Sequence, residues 1–388
     1  MNVYVRELSS ALARSGVECD VFTRAVSPRQ PAVVAVEPGF RVHHVPAGPL
    51  VALPKEELPQ LVEEFAEGVM LRMSGDLSYD AIHANYWLSG LAGHQLKHAL
   101  DLPLVSTFHT LDRVKAESSP EEVSSDEPHR RAEAEAAIMA CSEVVLASCS
   151  VEADQLADLY GADPARIRVV PPGVDHAFFA PGNRSQARRA VGLPTEGPLL
   201  AFVGRIQPLK GADVALRVVE ALLAGHPDAT LVVVGGPSGP YGPSHLAELH
   251  AHVELAGLAA NVRFVDPQPH ELLSTYYRAV DVCLVPSRSE SFGLVALESA
   301  ACGTPVVASA VGGLTTLVED GLTGFLVEGH DIEAFAASAA VVIDDPTLAG
   351  FLSENAASHA RHFTWAMAAR LLRSTYEELA AERLVGCG

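Results

Sequence analysis

Val282-Cys283-Leu284-Val285-Pro286-Ser287-Arg288-Ser289-Glu290-Ser291-Phe292-Gly293-Leu294-Val295-Ala296-Leu297-Glu298 joins a short apolar run, a turn and the start of a helical pattern. Four apolar residues bounded by proline read as a buried parallel strand, and the Ser/Gly turn opens a helix whose first N–H groups lack intrahelical partners. Such a helix end favours an anion. Glu290 lies in the turn, and Glu298 about two helical turns further on. Ionised carboxylates only accept hydrogen bonds, so a pair of them suits a pair of sugar hydroxyls. The pattern also fits a plain capped strand–turn–helix unit with a solvated Glu290 and Glu298 on the helix face. Gly303-Thr304-Pro305-Val306-Val307-Ala308 and Gly312-Gly313 follow closely with the next strand and turn.

Around this stretch the second half of the chain alternates strand and helix. Leu199 to Val203, Ala229 to Val234, Val262 to Val265, Val282 to Val285, Val306 to Ala308 and Phe325 to Val327 read as strands. In the first half Cys19 to Phe22, Val42 to Val45, Ala81 to His83, Pro103 to Phe108, Val144 to Ala147 and Ile167 to Val170 do the same. Helices are expected over Lys55 to Met73, on to Leu100, from about Pro128 and from about Val151. Residues 112–128 are charged without apolar periodicity and read as a mobile loop. Pro171-Pro172-Gly173-Val174-Asp175 marks a boundary, followed by a linker-like segment to about Leu193.

The expectation is an α/β protein of two doubly wound, Rossmann-like domains whose strand ends face one cleft. The first spans residues 1–172, the second 173–364, and a helix in 365–388 is free to pack back on the first. The chain opens inside a helix, Met1 to Leu12, without the strand and glycine turn that usually precede one in such a domain. The expectation is that this strand lies upstream of Met1.

With 388 residues, 48% of them hydrophobic, the chain can bury a large core. No apolar run approaches the roughly 20 residues of a membrane span, and no signal-peptide pattern opens the chain. Six scattered cysteines form no C-x-x-C pair, which fits a reducing cytoplasm. The formal charge of −21 argues against nucleic acid or an anionic membrane as a general partner. An anionic substrate must therefore meet a local cluster of cations.

Gly204-Arg205-Ile206-Gln207-Pro208-Leu209-Lys210-Gly211 supplies one, directly after a strand and before a helix. Arg offers a bidentate fork, Lys a point charge and the helix dipole some support, a combination suited to a diphosphate. A solvated basic loop is the plainer reading. The glycine spacing matches neither the P-loop nor the dinucleotide fingerprint, which lowers the case for an ATPase or a classical dehydrogenase.

Together, Gly204-Arg205 with Lys210, Glu290 and Glu298 in Glu-Ser-Phe-Gly-Leu-Val-Ala-Leu-Glu, and Gly303-Thr304-Pro305-Val306 resemble the retaining, nucleotide-sugar-dependent glycosyltransferases of family 4, over nearly the whole chain. The resemblance implies the two-domain glycosyltransferase B-type fold. It implies that Arg205 and Lys210 hold the donor diphosphate, that Glu298 binds the ribose hydroxyls and that Glu290 contacts the donor sugar. Gln268, Phe292, Gly293 and Leu294 complete the implied donor site. No cofactor is implied for catalysis. A structural magnesium at Tyr277, Arg278, Val280 and Thr304 is compatible with the resemblance, as is a homodimer.

Within that family the first half is similar to members that move N-acetylglucosamine from UDP to 1D-myo-inositol 3-phosphate, the first step of mycothiol synthesis. The similarity rests on Met1 to Tyr4, Lys55 to Pro59, His83 with Tyr86 to Gly90, His109 to Leu111 with Val114-Lys115, and Arg130-Arg131. It implies that Lys55, Tyr86, Thr110 and Arg130 bind the acceptor's phosphate, with Asn2 near the acceptor. Charge-assisted bonds from Lys and Arg, completed by Tyr and Thr hydroxyls, suit a phosphate. Asn85 and Phe108 depart from that pattern. Ser106 to Thr110 and the loop 112–128 also resemble a broader set of actinobacterial transferases whose acceptors need not be inositol phosphate, and sucrose-phosphate synthases are similar over the same motifs.

The implied mechanism is retaining transfer without a covalent enzyme intermediate, with Arg205 and Lys210 stabilising the departing UDP. His109, at a strand end, is placed to contact the donor sugar or the departing phosphate; a polar strand-end role is the alternative. Two other classes stay open. One is a phosphorylase or hydrolase on the same fold, and the other a non-catalytic sugar-nucleotide-binding protein.

Overall fold

The computed structural model describes residues 2–73, 78–118, 130–380, 384 and 386. They form two compact units, one drawn from 1–113, 124–173 and 365–388, the other from 114–123 and 174–364. Among the described residues no single helix is long and apolar enough to cross a membrane.

The first unit contains β1 (Cys19–Arg24), β2 (Val33–Glu37), β3 (Phe40–Val45), β4 (Ile82–Asn85), β5 (Leu104–Thr107), β6 (Val144–Ala147) and β7 (Ile167–Val169). These make two sheets rather than the single alternating sheet expected: β1-β3-β2 and the all-parallel β4-β5-β6-β7. Strand β2 has no counterpart in the sequence reading. It pairs antiparallel with β3 across Pro38-Gly39, and its Val-Val-Ala-Val run is exposed on both faces, so it carries no alternating pattern to read.

Tyr4, Leu8 and Leu12 recur every fourth residue on the helix Asn2–Arg14 and so share one face. That face buries against Trp365, Ala368, Ala369 and Leu372 of the helix Trp365–Leu379 and against Val105, Val144 and Leu146 of the parallel sheet. Each fully buried leucine there contributes roughly 1.5–3 kcal/mol.

Two local expectations need correction. Lys55 to Met73 is not one helix. Pro59, which lacks an N–H and crowds the preceding turn, splits it into the single turns Lys55–Glu57 and Pro59–Leu61 before the helix Val62–Met73. Asp112–Ser118, expected within a loop, is helical, and residues 119–129 lie outside the described residues.

The second unit is one six-stranded parallel sheet of β8 (Leu199–Val203), β9 (Thr230–Val234), β10 (Val262–Val265), β11 (Val282–Val285), β12 (Val306–Ser309) and β13 (Gly324–Val327). Its order is β10-β9-β8-β11-β12-β13. The chain runs outward from β8 to β10, then crosses back to β11 and continues the other way. Strands β8 and β11 therefore flank the topological switch point, where ligands of such sheets bind at the strand C-terminal ends. Every residue of β8, β9, β11 and β12 is buried, as expected for strands covered on both faces. The segment expected as a linker includes the helix Arg184–Ala190, capped by Asn183 and tied through the buried Arg188 to Asp281.

Candidate active site

The turns after β8 and β11 meet at this switch point. Gly211, at φ +72°, lies against the Pro286 carbonyl, and a Cβ there would fall 2.1 Å from that oxygen. Gly312, at φ +50°, presses equally closely on the Glu290 carbonyl, where a Cβ would fall at 1.9 Å. Only glycine combines that backbone with that approach. As a result Lys210 Nζ reaches Glu290 Oε2 at 2.5 Å, with both side chains about one-fifth exposed. Ser287 Oγ donates to the same oxygen at 3.4 Å.

Arg288 braces the two turns. Its amide donates to the Leu209 carbonyl at 2.8 Å, and its guanidinium bonds the Pro208 carbonyl and, at 3.0 and 3.3 Å, the Asp213 carboxylate. Burial would raise the Asp213 pKa, but hydrogen bonds and charge from Arg288 hold it below the usual carboxylate range. The helices Ala212–Leu222 and Leu294–Ala301 start beside these turns with no side-chain cap, so their first N–H groups face the same strand ends. Arg205 is exposed in the β8 turn. Phe292 is buried edge-to-face on Phe363, Gly293 caps the following helix, and Leu294 is its first residue.

Glu298 is 6% exposed, and both of its oxygens are engaged. His270 Nε2 donates to Oε1 at 2.6 Å and the Tyr277 hydroxyl to Oε2 at 2.9 Å. Burial and the neighbouring Glu298 charge push the Tyr277 phenol well up, so it stays a neutral donor. Gln268, just past β10, donates from Nε2 to the Asp266 carbonyl at 2.8 Å.

The residues named for magnesium form a hydrogen-bonded helix end. The Tyr277 carbonyl accepts from Thr304 Oγ1 at 2.7 Å and from the Val280 amide at 3.3 Å, and the Arg188 guanidinium bonds the intervening Ala279 carbonyl. The set holds no carboxylate, and a fixed cation sits beside it. A magnesium ion held there would rest on main-chain carbonyl oxygens and the Thr304 hydroxyl.

In the first unit the ends of β4 and β5 carry the candidates. Tyr86 and His109 both have left-handed backbones, φ +83° and +62°. His109 Nε2 lies 2.9 Å from Asn85 Oδ1, and its ring meets Tyr4 edge-on at 4.7 Å. Burial brings the His109 pKa down to about 3, so the ring is neutral at pH 7. Arg131 joins Tyr86 to Thr110: its guanidinium lies 5.1 Å from the Tyr86 ring centroid and donates to Thr110 O at 2.8 Å and Oγ1 at 3.1 Å. It also pairs with Glu135 at 2.8 Å. Arg130, first residue of the helix Arg130–Cys141, is exposed, as are Lys55 in its turn and Asn2 at the head of its helix.

The geometry thus brings together Lys210 with Glu290, and Tyr86 with Thr110. Four contributors had no role in the sequence reading: Arg288, Asp213, His270 and Arg131. Arg288 stands inside the opening motif, and Arg131 lies one helical turn from Glu135, so both left a local signal. His270 meets a partner 28 residues away and left none.

A family model described as glycosyl transferases group 1 matches residues 183–359, and one described as a glycosyl transferase 4-like domain matches residues 1–173. The D-inositol 3-phosphate glycosyltransferase of Acidothermus cellulolyticus is 45% identical over 99% of this chain and 86% of its own. That of Actinosynnema mirum is 46% identical over 97% of this chain and 91% of its own. Among solved structures, sucrose-phosphate synthase from Thermosynechococcus elongatus is similar with a TM-score of 0.89 and 34% identity, over 98% of this chain and 93% of that one.

Proposed function

This chain belongs to the group 1 glycosyltransferases and has their two-domain B-type fold, and from that premise we propose that it moves N-acetylglucosamine from UDP to 1D-myo-inositol 3-phosphate with retention at the anomeric carbon. The observation that carries the donor side is the Lys210–Glu290 pair at the sheet's switch point. Donor binding exchanges this pair: the diphosphate takes the Lys210 ammonium, and Glu290 is released to accept a sugar hydroxyl. Arg205 and the two uncapped helix starts add donors to the phosphates. Glu298 takes the ribose hydroxyls.

In the reaction the bond from anomeric carbon to phosphate oxygen breaks as the bond to the acceptor oxygen forms on the same face. The acceptor proton passes to the departing phosphate oxygen, so no separate general base is required. Lys210 and Arg205 stabilise the charge that develops on the diphosphate. His109, neutral through burial, serves as an uncharged hydrogen-bond partner of the donor. On the acceptor side the names of the relatives support inositol 3-phosphate, and Tyr86 and Thr110, aligned by Arg131, suit its phosphate together with Lys55, Arg130 and Asn2.

The test is release of UDP from UDP-N-acetylglucosamine with and without inositol 3-phosphate. Stimulation by the acceptor is expected, with a glycosylated inositol phosphate as product; no stimulation overturns the acceptor. A second reading, a different phosphorylated sugar as acceptor, is favoured by the 34% identity to a sucrose-phosphate synthase, and stimulation by such a compound alone would select it.

A further inference from the structure

Glu298 differs from the other carboxylate of the site in how it is held. Each of its oxygens already accepts one hydrogen bond from a protein group that can only donate there, His270 Nε2–H on one side and the Tyr277 hydroxyl on the other. A carboxylate oxygen has two acceptor directions, so one remains on each. Tyr277 is fully buried, and its hydroxyl is committed to Glu298 Oε2 at 2.9 Å. The His270 ring is itself fixed, with its centroid 5.0 Å from that of the buried Phe179. The carboxylate plane is thus set from both ends.

We propose that His270 and Tyr277 are positioning residues that turn Glu298 into a rigid two-point acceptor for the vicinal 2′,3′-diol of the donor's ribose, and so set the preference of this enzyme for ribonucleotide over 2′-deoxyribonucleotide donors. This rests on the assignment of Glu298 to the ribose. A carboxylate free to rotate meets a single hydroxyl about as well as two, because it can turn to follow the one that is left. A carboxylate clamped at both oxygens cannot follow, and loss of one hydroxyl leaves a buried acceptor direction unfilled. Discrimination therefore depends on the clamp as well as on Glu298.

The experiment is calorimetric binding of UDP and 2′-deoxy-UDP to the full chain, with a melting curve for each variant. For the native protein, UDP is expected to bind about tenfold or more tightly than the deoxy nucleotide, the value of one hydrogen bond to a charged group. His270→Phe and Tyr277→Phe are expected to shrink that ratio several-fold by weakening UDP while leaving the deoxy nucleotide nearly unchanged. His270→Gln, whose amide nitrogen can take the place of Nε2, is expected to restore it. Equal weakening of both nucleotides, or an unchanged ratio in both Phe variants, overturns the proposal, because a merely structural role would look like that. Glu298→Gln separates the two levels of inference. If its ratio equals that of the native protein, the ribose assignment itself is wrong; if its ratio collapses while those of the Phe variants do not, only the clamp is wrong.

Discussion

The second unit engages Lys210, Glu290 and Glu298 with other protein groups, whereas the first leaves half of its candidates exposed. Lys210 sits on Glu290, Arg288 on Asp213, and Glu298 between His270 and Tyr277. In the first unit Asn2, Lys55 and Arg130 are exposed, Arg131 links Tyr86 to Thr110, and His109 lies against Asn85. Interlocked groups lose little freedom on meeting a ligand, while exposed long side chains must be ordered by it. A site built the first way has one geometry for one ligand class. A site built the second way changes partners by exchanging a few surface residues.

The largest expected effect breaks the interlocked half. Lys210→Ala removes the cation opposite the leaving diphosphate and should lower kcat/KM by about 10³-fold, on the order of 4 kcal/mol of barrier. Steady-state release of UDP measures it; a loss under tenfold would mean that the Lys210–Glu290 pair holds the fold rather than the donor.

Next in size is a pH effect confined to the first unit. His83 lies between the Tyr376 hydroxyl at 2.7 Å and Thr107 Oγ1 at 2.8 Å, and burial lowers its pKa from 6.5 to about 4. The unfolded chain then binds a proton that the folded chain refuses, so stability is complete above pH 6.5 and is lost as pH falls towards 4, by on the order of 3 kcal/mol. Trp87 and Trp365, the chain's two tryptophans, both belong to the first unit, so the urea midpoint of tryptophan fluorescence reads this unit. A midpoint flat from pH 7 to pH 5 would contradict the buried neutral ring.

Arg131→Gln tests whether the first unit has any lock at all. It should raise the acceptor KM about tenfold, by loosening Thr110 and Tyr86, with the donor KM unchanged. Lys55→Ala is the smallest: an exposed cation near an anionic acceptor should shift the acceptor KM only a few-fold, less so at high salt. If Lys55→Ala exceeded Arg131→Gln, the exposed shell rather than the arginine brace would carry acceptor affinity.

How much of this was legible in the sequence follows the same divide. Strands β8, β9 and β11 are apolar runs that end directly on Gly or Pro, and the Lys210 and Glu290 turns follow β8 and β11, so motif and position coincide there. The glycines at 211 and 312 are legible as turn residues, though not as contacts on the carbonyls of Pro286 and Glu290. The first unit hid more. Strand β2 faces solvent on both sides and has no period, Pro59 interrupts what reads as one amphipathic helix, and Asp112–Ser118 is helical without an apolar stripe. The His270–Glu298 contact is purely tertiary and has no local pattern to betray it.

Tyr86 and His109 end adjacent parallel strands with positive φ, a backbone that costs side-chain-bearing residues about 1–3 kcal/mol each. Any screen that selects variants of this enzyme for thermal survival alone will therefore be drawn to these two positions, where glycine relieves the strain. It will harvest sturdier proteins whose strand ends carry neither the phenol nor the imidazole, and a campaign to harden the enzyme should score turnover in the same round.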